Sequence, residues 1–108
     1  SLADWTKANP RPRAPLAQVA DHIDHVRTVV GIDHIGSGGD FGGISSVVEG
    51  LEDVSTYPAL FTELARRGYG QADLEKIAGR NLLRVMKQVE AVAATLKAVP
   101  PSDATIIR

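Results

Sequence analysis

The sequence predicts an α/β chain built as one unit of a β/α fold: helices around a single short strand that ends in a glycine-rich loop. Three observations carry this expectation. Apolar residues recur at helical spacing in four stretches, at about 15–30, 58–67, 72–78 and 81–98. One short stretch, Ile32 to Gly38, reads as a strand and runs directly into Gly38-Gly39-Asp40-Phe41-Gly42-Gly43. No other segment makes a persuasive strand. A lone strand exposes unpaired N–H and C=O groups along both edges, at about 1–3 kcal/mol for each one buried. Sheet partners are therefore expected outside this sequence.

Composition narrows the function classes. The 108 residues carry 12 basic and 13 acidic side chains, for a net charge of −1, which gives no reason to expect nucleic acid or an anionic membrane as partner. With no cysteine, disulfides, thiol catalysis and cysteine-bound zinc are excluded. No stretch approaches the roughly 20 apolar residues of a membrane span. The compartment is not fixed by these features.

The elements follow in order. Pro10, Pro12 and Pro15 make residues 1–15 an expected extended loop, because proline fixes φ and disfavours helix in the residue before it. Leu2 and Trp5 are its only large apolar side chains and are expected to anchor it to the body. Residues 16–98 form the main segment. Pro15 suits the start of a helix whose stripe is Leu16, Val19, Ala20, Ile23, Val26 and Val30, and Gly31 marks its stop. After the strand and glycine loop, residues 44–56 read as loop with an acidic run at Glu49, Glu52 and Asp53. Pro58 opens a second helix that buries Leu60, Phe61, Leu64 and Ala65 and ends at Gly68, with Arg66 and Arg67 favourably placed in its last turn. A short helix spans about 72–78. The longest helix, about 81–98, carries the stripe Leu82, Val85, Met86, Val89, Val92, Ala93 and Leu96 until Pro100-Pro101 stops it. Residues 99–108 read as a tail. Ile44–Val48 and Ala104–Ile107 are weak candidates to pair with the strand.

Several of these segments resemble the C-terminal part of the membrane (renal) dipeptidase family. The likeness covers roughly residues 17–90 and rests on Gly39-Asp40-Phe41, Gly50-Leu51-Glu52-Asp53-Val54, Tyr57-Pro58, Arg66-Arg67-Gly68-Tyr69 and Asn81-Leu82-Leu83-Arg84-Val85 in this order. Each piece alone is weak, and together they are specific. The resemblance implies a (β/α)₈ barrel with two zinc ions at its C-terminal face, hydrolysing dipeptides through a metal-bound water. Such a barrel typically needs about 250 residues. This chain would supply the last strand, its loop and the closing helices, with the N-terminal part of the barrel as its partner. The family's zinc ligands all precede the matched region, so no ligand carries over. One residue does: Asp40, as the carboxylate that holds the substrate's amino group and relays the proton of the attacking water. The family pattern Gly-Asp-Phe-Asp-Gly has Gly42 here in place of its second acid, a change that bears on substrate preference more than on catalysis.

Other features are weighed against simpler readings. His22 and His25, three apart and flanked by Asp21 and Asp24, suggest a metal patch but read more simply as a solvated helix face. His34 reads as a structural histidine bonded between strand and helix. The glycine loop lacks the Gly-Lys-Ser/Thr ending of a phosphate-binding loop. The rival reading from another class is a small helical protein-interaction domain without catalytic activity, its four stripes closed on one another. Whether the protein forms a homodimer is left open by these residues.

Overall fold

A computed structural model of the chain describes residues 1–102 and Ala104; the candidate pairing segment Ala104–Ile107 lies, apart from Ala104, outside the described residues. The backbone is mostly helical: α1 Leu2–Ala8, α2 Leu16–Val30, α3 Tyr57–Arg66, α4 Gln71–Glu75 and α5 Asn81–Thr95. Two short 3₁₀ turns, Ile32–His34 and Val54–Thr56, and a π turn over Lys76–Arg80 complete it.

The sequence periodicity places α2, α3 and α5 close to where they form. Residues 1–15 differ from the extended loop expected of them. Ser1 and Asp4 form a capping box: the Asp4 N–H donates to Ser1 Oγ at 3.2 Å, and the Ser1 amino group donates to the Asp4 carboxylate at 3.1 Å. These bonds satisfy the orphan donors of a helix start, and the first turn of α1 propagates before the prolines intervene. α1 buries none of its residues; Leu2 and Trp5, expected anchors, are both exposed. The stretch after α1 ties down instead through its backbone, where Leu16 N–H donates to Glu49 O and Glu49 N–H to Ala14 O, each at 2.9 Å.

The expected strand at 32–38 is not formed, and among the described residues there is no strand at all, only isolated bridges. With no neighbour to pair with, an extended run would leave its polar groups unmatched. The backbone turns at Gly31 (φ +85°) into the 3₁₀ turn, and its carbonyls find side chains. Asn81 Nδ2 donates to Ile32 O at 2.7 Å and to Ile35 O at 2.9 Å, and Arg84 donates to Asp33 O at 2.6 Å. Ser37 N–H donates to Ile77 O at 3.2 Å. The segment that leads into the glycine loop is thus held by the π turn and the start of α5 rather than by a sheet.

The core is small. Ala20 and Ile23 of α2, Leu60 and Leu64 of α3, Ile35, Leu51, Tyr69 and Ile77 are buried together. Arg67 clamps the back of this core. It donates to Glu63, Asp21 and Asp24 at 2.7–2.8 Å and to Ala17 O at 3.2 Å, joining α3 to α2. Tyr69 adds a bond to Asp24 at 2.7 Å, with the Arg27 guanidinium 4.4 Å above its ring.

α5 departs from expectation in a second way. Its apolar stripe covers nothing: Leu82, Val85, Met86, Val89, Val92 and Leu96 are all exposed, and Asn81 is the only buried residue of the helix. Ala65 of α3 is likewise exposed rather than buried. The radius of gyration, 19.9 Å, is far above the ~13 Å of a closed domain of about 100 residues. Surface that would close a domain stands open.

Candidate functional site

The Gly39–Gly43 turn follows directly on the segment that Asn81 and Ile77 anchor. It closes with Gly43 N–H donating to Asp40 O at 2.9 Å. Asp40 is the only non-glycine residue with positive φ among the described residues, at +48°. A short polar side chain tolerates that left-handed backbone better than most. Space rather than φ favours the two glycines that bracket the turn. A Cβ on Gly39 would stand 2.5 Å from the Phe41 ring, and one on Gly43 would stand 2.6 Å from Asp40 Oδ1. Glycine at these positions lets Phe41 fold back over the loop and leaves room for the carboxylate, which is exposed at the surface.

Phe41 meets Tyr57, at the start of α3, edge to face with ring centroids 5.9 Å apart. This pair forms one side of a cavity of about 270 Å³. Val19, His22 and Ile23 of α2, residues 36–39, Ile44, Val47, Val48, Leu51 and Leu60 line the rest. The residues immediately before and after Asp40 are both in its wall. No carboxylate, lysine or arginine lines it, and its titratable groups are the imidazole of His22 and the phenol of Tyr57.

The acidic run serves the adjoining loop. Glu52 accepts from Gly50 N–H at 2.9 Å and from Arg13 at 3.4 Å, and the Gly50 N–H holds its carboxyl below the usual range. Asp53 caps the second 3₁₀ turn by accepting from Ser55 N–H at 2.8 Å. These carboxylates shape the loop that carries Leu51 into the core.

His22 and His25 are both exposed on α2, as a solvated face requires. His34, expected to be a bonded structural histidine, is exposed instead, because the strand that would have turned it inward is absent. Among the described residues no three or more His, Cys, Asp or Glu side chains converge to hold a metal. The donors present here do not by themselves fit a zinc pair.

Sequence reasoning singles out Asp40 and its loop, but not the cavity beside them, nor Asn81 as the residue that fixes the approach to the loop. The signal for Asn81 was present: a polar residue at the head of an apolar helix, directly after the Gly79 break.

The profile of the membrane dipeptidases (peptidase family M19) matches residues 6–100. Rat dipeptidase 3 is 53% identical over 79 residues, 73% of this chain and 16% of its own length. Dipeptidase tcpJ of Claviceps purpurea is 42% identical over 101 residues, 94% of this chain and 24% of its own length. Human dipeptidase 3 is 45% identical over 91 residues, 84% of this chain and 19% of its own length. The chain therefore spans between about a sixth and a quarter of the curated relatives it matches.

Proposed function

The chain belongs to the membrane dipeptidase family, and on that premise we propose that it is the C-terminal segment of a zinc-dependent dipeptidase to whose site it contributes Asp40. In this reading the rest of a (β/α)₈ barrel supplies the sheet partners of residues 32–38, the zinc ligands and the cover for α5. The observation that carries it is the Gly39–Gly43 turn, which presents an exposed carboxylate between two glycines where a Cβ would crowd Phe41 and Asp40. It does so within a segment matched to dipeptidases over nearly its whole length.

The chemistry asked of Asp40 suits its setting. A free dipeptide carries a protonated amino group, and a carboxylate held by a tight backbone turn pairs with it at little cost in side-chain entropy. The same carboxylate accepts or relays the proton of the water that attacks the scissile carbonyl. Zinc, when bound by residues outside this segment, would lower the pKa of that water.

The rival, a self-contained helical interaction domain, asks the apolar stripes to close on one another. The open face of α5 speaks against it.

The test is Asp40→Asn in the complete enzyme. Turnover of dipeptides should fall by about 10²–10⁴-fold, the usual span for loss of a positioned acid–base group, while bound zinc stays at the wild-type level. Unchanged turnover with normal zinc content would remove Asp40 from the site.

A further inference from the structure

We propose that Gly43 is a positioning residue for the Asp40 carboxylate: the bare Cα at 43 allows the acid the orientation in which it meets the substrate. The inference rests on the reading of Asp40 as the group that holds the substrate's amino nitrogen, and it adds to that reading a second residue on which the reaction depends.

The geometry starts from the backbone. Asp40 stands at φ +48°, in a small left-handed well that leaves the backbone little room to turn. Three residues on, Gly43 N–H donates to Asp40 O at 2.9 Å, so the two backbones are tied across the turn. A Cβ on Gly43 would meet the whole carboxyl group of Asp40, Oδ1 at 2.6 Å, Cγ at 3.0 Å and Oδ2 at 3.1 Å. Ordinary contact between such atoms lies at about 3.5 Å. The carboxylate would have to retreat by most of an ångström.

The surroundings decide what gives way. Asp40 and Gly43 are both exposed, and a carboxylate in water turns readily to another staggered position. Gly43 lacks the left-handed φ of Gly42, which is +88°, so alanine at 43 meets no backbone strain. The collision is therefore relieved by the Asp40 side chain alone, with the turn and the fold intact. Gly39 differs, because a Cβ there meets the Phe41 ring at 2.5 Å rather than the carboxylate. Of these two glycines, only Gly43 acts through the acid. The displacement matters because the carboxylate must face both the substrate's ammonium group and the proton of the attacking water. Misplacing a reacting group by about 1 Å costs on the order of 10²-fold in rate.

The experiment is a double-mutant cycle on the complete enzyme, with Gly43→Ala and Asp40→Asn made singly and together. For each form, kcat/KM is measured on a free dipeptide that the wild type hydrolyses, together with bound zinc and Tm. Gly43→Ala alone should lower kcat/KM by roughly 10–100-fold, with Tm and zinc content at the wild-type level. In the Asp40→Asn background, where the carboxylate is already gone, the same change should cost less than about twofold. Rates in that background, about 10²–10⁴-fold below wild type, are read at raised enzyme concentration. An unchanged kcat/KM in Gly43→Ala would overturn the proposal, as would a loss accompanied by lower Tm or less zinc. An equal loss with and without the Asp40 carboxylate would overturn it as well, since Gly43 would then act by another route. Full activity of Asp40→Asn itself would instead overturn the reading of Asp40, and the role of Gly43 with it.

Discussion

Two side chains, Asn81 and Glu63, and two glycines carry much of the local organisation, each in a different way. Asn81 is buried and spends its amide on two backbone carbonyls, Ile32 O and Ile35 O. Replacing it by alanine strands both acceptors, and Asn81→Ala should destabilise the fold by about 1–3 kcal/mol, read by denaturant unfolding of the complete protein; a loss well under 1 kcal/mol would mean the carbonyls have other partners there. Glu63 accepts from Arg66 and Arg67, and those guanidinium groups hold its carboxyl down at about 2. Tyr69 and Arg67 lower Asp24 by their hydrogen bonds, and Lys76 lowers Asp33. A carboxylate depressed in the folded state stabilises it fully above the unfolded value and loses that contribution as pH falls toward the folded one. Stability should therefore decline between about pH 4.5 and pH 2, followed by circular dichroism, and Glu63→Gln should flatten that decline. Glycine acts by absence: Gly39 and Gly43 make room for Phe41 and for the Asp40 carboxylate.

At the scale of elements, the helices divide into those that found partners and two, α1 and α5, whose apolar side chains did not. α2 and α3 bury their stripes in each other and in Ile35, Leu51 and Ile77, while α5 holds Leu82, Val85, Met86 and Val89 out to solvent. A charge placed on that face separates two accounts. Val89→Lys should change the stability of the isolated chain by no more than about 0.5 kcal/mol, as at an ordinary surface site. In the complete protein the same change should destabilise clearly, because the face is then covered and the charge is buried without a partner. Equal, small effects in both settings would mean that nothing covers α5. The legibility of these elements in the sequence follows the same division. Periods of 3.6 over residues of about 16–30, 58–67 and 81–98 announce helices because a helix satisfies its own backbone. The run Ile32–Gly38 reads as a strand because a strand pattern is local, whereas a strand is made by neighbours that this sequence does not contain. α1 escaped the reading because the prolines at 10, 12 and 15 overshadowed the Ser1–Asp4 capping box. The role of Asp40 was suggested by a family motif rather than by local physics, and the cavity beside it draws on α2, the glycine loop and α3 together, a convergence no single stretch of sequence displays.

For the whole molecule, an open helix face and a radius of gyration of 19.9 Å leave apolar surface that the described residues do not cover. In the reading proposed above, the remainder is a barrel whose other strands would pair with residues 32–38 and whose other helices would cover α5. The central claim is that this segment brings Asp40 to a site completed elsewhere. Its most direct test is reconstitution, with dipeptide hydrolysis measured for residues 1–108 alone, for the upstream portion alone and for the two combined, each with added zinc. The claim predicts zinc-dependent hydrolysis only in the combination, lost again when the segment carries Asp40→Asn. Hydrolysis by residues 1–108 alone, or by the upstream portion at the same rate without them, would contradict it.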